Sequence, residues 1–216
     1  MVEAISQQSV KIPADSVVLE GTLALPRGAE AVVVFAHGSG SSRHSPRNKY
    51  VAEVINNAAI GTLLFDLLTR KEDSLYENRF DIALLTERLK AATSWLMGHQ
   101  QTGKLHLGYF GASTGAAAAL WAAAELGPRI EAVVSRGGRP DLAEHVLGSV
   151  QSPTLLIVGG YDDVVIQLNQ KAYQLIKAEK RLSIVPGATH LFEEPGTLEE
   201  AARLATEWFK TYLIHR

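Results

Sequence analysis

The stretch Gly111-Ala112-Ser113-Thr114-Gly115 lies between a short apolar run, Leu105 to Phe110, and an alanine-rich stretch, Ala116 to Ala124. An apolar strand, a serine flanked by glycines, then a helix is a narrow specification. The glycines are required when the serine sits in a strained backbone position and any Cβ beside it would strike the adjoining strand or helix. Such a turn lifts the Ser113 side chain clear of the sheet. It also aims the positive N-terminal end of the following helix at that side chain. The same five residues could form an ordinary Gly/Ser turn, so their meaning depends on partners elsewhere in the chain.

Those partners follow in order. Thr154-Leu155-Leu156-Ile157-Val158 reads as a buried strand and runs through Gly159-Gly160 into Tyr161-Asp162-Asp163. Leu182-Ser183-Ile184-Val185 then leads into Pro186-Gly187-Ala188-Thr189-His190. A histidine can take the proton of an attacking serine, and a carboxylate can fix its tautomer and stabilise its cation. His190 is the candidate base. The acid is Asp163 or the adjacent Asp162, or Asp141 if it follows the Ala132–Val134 strand instead. Upstream, Val32-Val33-Val34-Phe35-Ala36 enters His37-Gly38-Ser39-Gly40, a glycine-rich loop suited to offering backbone N–H groups to an oxyanion. The backbone amides of Ser39 and Thr114 are the expected oxyanion donors. His37 is expected to shape its loop rather than transfer protons.

The rest of the chain alternates. A hairpin is expected over Val10 to Leu25, then strands at 31–36, 62–65, 105–110, 132–134, 154–158 and from 182. Between them helical signals run from Ser45-Pro46 to about Ala58, over Asp81 to Met97, from Ala116, around Gln167 to Lys177, and from Leu198 to about Leu213. Strands each followed by a helix predict an α/β fold with a mostly parallel central sheet of about eight strands, helices on both faces and catalytic groups at the carboxyl ends. Only Ser135 to Pro153 separates two of the strands, which leaves no room for a large lid.

Composition excludes other classes. With 216 residues, 46% of them hydrophobic, one domain spanning 1–216 is expected. A net charge of −2 gives no general attraction to nucleic acid or membrane. There is no cysteine, so disulfides and thiolate metal sites are out. No metal and no cofactor is expected. No apolar run approaches the roughly 20 residues of a membrane span, and Met1 to Lys11 lacks a signal-peptide pattern, so a cytoplasmic monomer or homodimer is expected. A dinucleotide reading of the serine turn fails for want of G-x-G-x-x-G spacing and of an acid after the next strand.

On His37-Gly38-Ser39-Gly40, the Ser113 turn, Gly160-Tyr161-Asp162-Asp163-Val164-Val165 and Pro186-Gly187-Ala188-Thr189-His190-Leu191-Phe192, the chain resembles α/β-hydrolases of the dienelactone hydrolase type over nearly its whole length. The resemblance implies an α/β-hydrolase fold and a Ser113, Asp163, His190 triad, because relatives place the acid three residues past the strand-ending glycine and before an apolar pair. Dienelactone hydrolases proper carry cysteine where this chain has Ser113, which favours a serine esterase of small or short-chain carboxylic esters. A lactonase and a non-catalytic ligand-binding module are the alternatives. Arg136 and Arg139 follow the 132–134 strand, and the resemblance makes them candidates for holding a substrate anion. Leu67, Leu68, Tyr161, Leu191 and Phe192 are candidates for an apolar lining.

Overall fold

The computed structural model describes residues 5–215. Strands β1 (Ile5–Ala14) and β2 (Val17–Pro26) form the expected hairpin, longer at both ends than the sequence pattern suggests. Asp15 takes the left-handed backbone of its turn, a conformation that aspartate tolerates. The alternation then runs through β3 (Ala31–Ala36), α1 (Pro46–Asn57), β4 (Gly61–Phe65), a single turn α2 (Arg70–Asp73) and a 3₁₀ turn at Tyr76–Phe80. It continues through α3 (Ile82–Gly98), β5 (His106–Ala112), α4 (Thr114–Leu126) and β6 (Ala132–Arg136). After a 3₁₀ stretch at Pro140–Ser149 come β7 (Thr154–Gly159), α5 (Asp163–Leu175), β8 (Lys180–Val185) and α6 (Thr197–Phe209).

The eight strands form one sheet in the order β1-β2-β4-β3-β5-β6-β7-β8, parallel from β4 onward and antiparallel at the β1–β2–β4 edge. β3 shows why its sequence is apolar throughout. Val32 and Val34 pack into the core shared with α3 and α4, whereas Val33 and Phe35 pack into the core shared with α1 and α6. Successive residues of a strand face opposite ways, so a strand covered on both faces has no polar positions to spare. α4 is buried on nearly all sides, with Ala116 to Leu120, Ala122 and Ala123 fully inaccessible. Alanine lets it lie close to the sheet on one side and to α3 and the 3₁₀ stretch on the other.

Register gathers the loops at one edge. Ala36 at the end of β3 pairs with Gly111, Ala112 at the end of β5 pairs with Arg136, and Gly159 pairs with Val185. The turns after β3, β5, β6, β7 and β8 therefore emerge together. No lid is inserted between β6 and β7, only the 3₁₀ stretch. Among the described residues no helix is long and apolar enough to cross a membrane.

Candidate active site

Ser113 sits at φ 51° and ψ −121°, directly between β5 and α4. A left-handed backbone at a residue with a Cβ costs about 1–3 kcal/mol and persists only when its surroundings enforce it. Here the Ser113 N–H donates to the Arg136 carbonyl at 3.3 Å, and its own carbonyl accepts from Ala116 and Arg139 amides at 3.1 Å each. The two glycines are needed for the reason read from the sequence. A Cβ on Gly111 would lie 2.4 Å from Ala116 Cα, and one on Gly115 would lie 2.2 Å from the Ala36 carbonyl oxygen. A Cβ on Gly38 would come within 3.0 Å of Ser113 Cβ, so the loop after β3 passes tightly against the serine.

The carboxylate beside His190 is Asp162, which corrects the expectation of Asp163. Asp162 Oδ2 lies 2.6 Å from His190 Nδ1. The reason is where α5 begins. The helix starts at Asp163, several residues earlier than its periodicity suggests, and Asp163 is exposed in its first turn. Asp162 stands just before the helix at φ −106° and ψ 62°, on the turn that is laced to the histidine loop. That lacing consists of Gly160 N–H to Val185 O and Tyr161 N–H to Ala188 O, both at 2.9 Å. With Nδ1 given to a carboxylate, Nε2 is the nitrogen left to carry the lone pair.

Ser113, His190, Ser39, Arg47, Arg136 and Leu191 are among the residues lining one cavity of about 220 Å³. A larger neighbouring cavity of about 350 Å³ contains neither Ser113 nor His190, and its charged lining is largely self-paired. There Arg43 binds both Asp66 and Glu20. Of the expected oxyanion donors, Ser39 lines the cavity with Ser113, and Thr114 opens α4 directly after the serine.

His37 is a structural residue. It is buried, its Nε2 accepts the Leu67 N–H at 3.0 Å, and its Nδ1 lies 3.0 Å from the Gly38 carbonyl. Both bonds require the neutral ring with the proton on Nδ1. Burial holds the imidazole below its ordinary value of 6.5. An unfolded histidine takes up its proton near that value while the folded one resists, so the unfolded state binds more protons as pH falls. The His37 contribution to stability is thus complete above about pH 6.5 and is lost on acidification, at up to about 1.4 kcal/mol per pH unit. Thermal melts from neutral pH into the acid range are expected to show a steeper fall in Tm for the wild type than for His37→Gln. Parallel falls would contradict this assignment.

The expected substrate-binding residues divide. Leu191 lines the cavity and is partly exposed. Phe192 does not line it: it is 1% exposed and packs in the core, with its ring under the Arg136 guanidinium at 5.8 Å. Tyr161 is 72% exposed and stands outside the cavity lining. Arg139 commits its guanidinium to Asp141 in a two-point fork at 2.9 and 2.7 Å, which also occupies Asp141. Leu67 and Leu68 are buried and border a small void beneath the loop at 37–40. Two asparagines escaped sequence reasoning. Asn48 accepts from Arg136 at 3.4 Å, and buried Asn169 donates to the Gly138 and Val165 carbonyls at 3.0 and 2.8 Å, tying α5 to the loop after β6. Neither belongs to a motif, although a Ser45-Pro46 helix start places Asn48 at the third helical position.

A mostly parallel eight-stranded sheet with a serine elbow after β5 and a histidine after β8 is an α/β-hydrolase fold. A sequence model of the dienelactone hydrolase family matches residues 19–213, and the chain belongs to that family. A dienelactone hydrolase crystal structure from Anabaena variabilis superposes with a TM-score of 0.94 at 54% identity, covering 97% of this chain and 99% of that one. Est1E from Butyrivibrio proteoclasticus shares the fold with a TM-score of 0.83 at 15% identity, over 96% of this chain and 99% of its own. A Mycobacterium tuberculosis protein with the provisional name phosphoribosyl transferase is 57% identical over 206 residues, 95% of this chain. The chain spans only 46% of that relative's length.

Proposed function

We propose that this chain is a serine hydrolase that cleaves small or short-chain carboxylic esters through a covalent acyl-enzyme. The observation that carries the reading is the 2.6 Å contact between His190 Nδ1 and Asp162, on a histidine that shares its cavity with the strained Ser113. In the forward step His190 Nε2 takes the Ser113 proton as Oγ attacks the ester carbonyl. The oxyanion is held by the Ser39 and Thr114 amides, and the imidazolium returns its proton to the departing alcohol. Water, deprotonated by the same histidine, then releases the acid and restores the serine. Asp162 holds the ring in the correct tautomer throughout.

The cavity volume and the missing lid favour short acyl groups. Over a p-nitrophenyl ester series, kcat/KM is expected to be highest for acetate or butyrate and to fall for long chains. Faster turnover of long-chain esters would contradict this. A lactonase reading is the second choice, supported by family membership and by the 54% identity to a protein described as a dienelactone hydrolase. It shares the same acyl-enzyme, and a lactone panel run beside the esters separates the two. The phosphoribosyl transferase name belongs to a protein more than twice as long and does not carry over to this chain. A non-catalytic module would leave Ser113 unreactive toward a fluorophosphonate.

A further inference from the structure

The three triad residues come from two parts of the sheet. Ser113 stands on the turn after β5, whereas Asp162 and His190 stand on the turns after β7 and β8. Between them runs Arg136-Gly137-Gly138-Arg139, the segment in which the chain leaves β6. This segment holds the serine from both sides. The Ser113 N–H donates to the Arg136 carbonyl at 3.3 Å, and the Arg139 N–H donates to the Ser113 carbonyl at 3.1 Å. The same segment faces the histidine. A Cβ built on Gly137, at φ 53°, would lie 3.2 Å from the His190 carbonyl oxygen and 3.5 and 3.6 Å from the ring atoms Cε1 and Nδ1. Gly138 is wedged more tightly still, since a Cβ there would lie 2.0 Å from Ser135 Oγ.

A side chain from the acid-bearing part fastens this segment. Asn169, fully buried in the second turn of α5, donates from Nδ2 to the Gly138 carbonyl at 3.0 Å and to the Val165 carbonyl at 2.8 Å. Only the NH₂ end of an amide can face two carbonyls. The Oδ1 atom accepts nothing from the protein, so what Asn169 contributes is its pair of donors. Asp162 stands immediately before the same helix. We propose that Asn169 is a positioning residue for the reaction: by bonding Gly138 it locks α5, and with it the Asp162–His190 pair, to the segment that holds Ser113. It touches no substrate and acts through the spacing of the two parts. A misplacement of about 1 Å between reacting groups can cost on the order of 10²-fold in rate. The inference rests on the reading of Ser113, Asp162 and His190 as a triad and adds the residue that keeps it in register.

The test reads kcat and KM on p-nitrophenyl acetate beside the NMR resonance of the His190 Cε1–H, assigned by its absence from His190→Gln. Asn169→Leu and Asn169→Asp both remove the donors, and the second keeps the shape of the amide. In each, kcat is expected to fall about 10–100-fold with KM within about threefold of wild type, and the His190 resonance to move. Gly137→Ala, which sets a methyl group against His190, is expected to lose about tenfold in kcat. Gly28→Ala is the control. Gly28 lies in the turn between β2 and β3 at φ 75° with nothing within 4 Å of its Cβ position, so it carries comparable backbone strain away from the site. It should leave kcat and the resonance unchanged. A merely structural asparagine would lower Tm and leave the kcat of the folded protein alone. Accordingly, kcat within about twofold of wild type in both Asn169 variants, or a fall with an unmoved resonance, overturns the proposal. If Asn169→Leu fails to fold, Asn169→Asp and Gly137→Ala decide. If the wild type hydrolyses no ester, the triad reading fails by itself and the resonance decides alone: moved in the Asn169 variants it supports the coupling, unmoved it overturns it.

Discussion

Ser113→Ala is expected to lower kcat on a short-chain ester by roughly 10⁴–10⁶-fold, with KM changed little. Removing the Oγ removes the attacking atom, so no acyl-enzyme forms and only the oxyanion donors remain to act on bound ester. The fold should be kept. Alanine at 113 faces the same φ of 51° that serine already bears, and the hydrogen bonds enforcing that backbone run through the main chain. Circular dichroism and a thermal melt should therefore match the wild type while progress curves go flat. Retention of more than a small fraction of kcat would mean that another residue attacks, and the account of this cavity would fall.

The second large effect separates two neighbouring carboxylates. Asp162→Asn is expected to cost about 10³–10⁴ in kcat, because an amide facing His190 Nδ1 can favour the wrong tautomer and cannot stabilise the imidazolium. Asp163→Asn should leave kcat near the wild-type value, since that side chain is exposed in the first turn of α5 and the carboxylate bonded to His190 Nδ1 is Asp162. The opposite outcome, a large loss in Asp163→Asn with Asp162→Asn active, would overturn the 2.6 Å contact as the functional one.

This pair also marks the limit of what the residues alone reveal. Ser113 is legible because its strained turn admits only glycine at 111 and 115, a requirement written directly into the sequence. His190 is legible because it follows the last strand. The acid is legible only to within one residue, because a one-residue shift in where α5 begins exchanges the side chain that faces the histidine for one that faces solvent. Val164 and Val165 are β-branched and do not announce a first helical turn, so the start of α5 reads too late. A likeness to other chains places the acid by its distance from a glycine, whereas the backbone before α5 decides which carboxylate faces the histidine.

The arginines show a different kind of illegibility. Arg136 and Arg139 look equivalent as neighbours in Ser135-Arg136-Gly137-Gly138-Arg139. Their fates diverge because Arg136 ends β6 and lies over Phe110 and Phe192, whereas Arg139 has left the strand and meets Asp141 two residues on. Arg47 and Arg136 are far apart along the chain and line one cavity because the loop after β3 leads into the start of α1 near the carboxyl end of β6. Phe192 shows the same limit: a loop aromatic beside the histidine can point inward as readily as toward the cavity, and this one packs in the core.

Intact-mass analysis after incubation with a fluorophosphonate tests the central claim most directly, because it reads the reactivity of one oxygen without needing the natural ester. One adduct per chain is expected, mapping to the peptide that contains Ser113, absent in Ser113→Ala, slowed strongly in Asp162→Asn and formed at the normal rate in Asp163→Asn. No adduct on the folded wild-type protein, or an adduct that persists in Ser113→Ala, would contradict it.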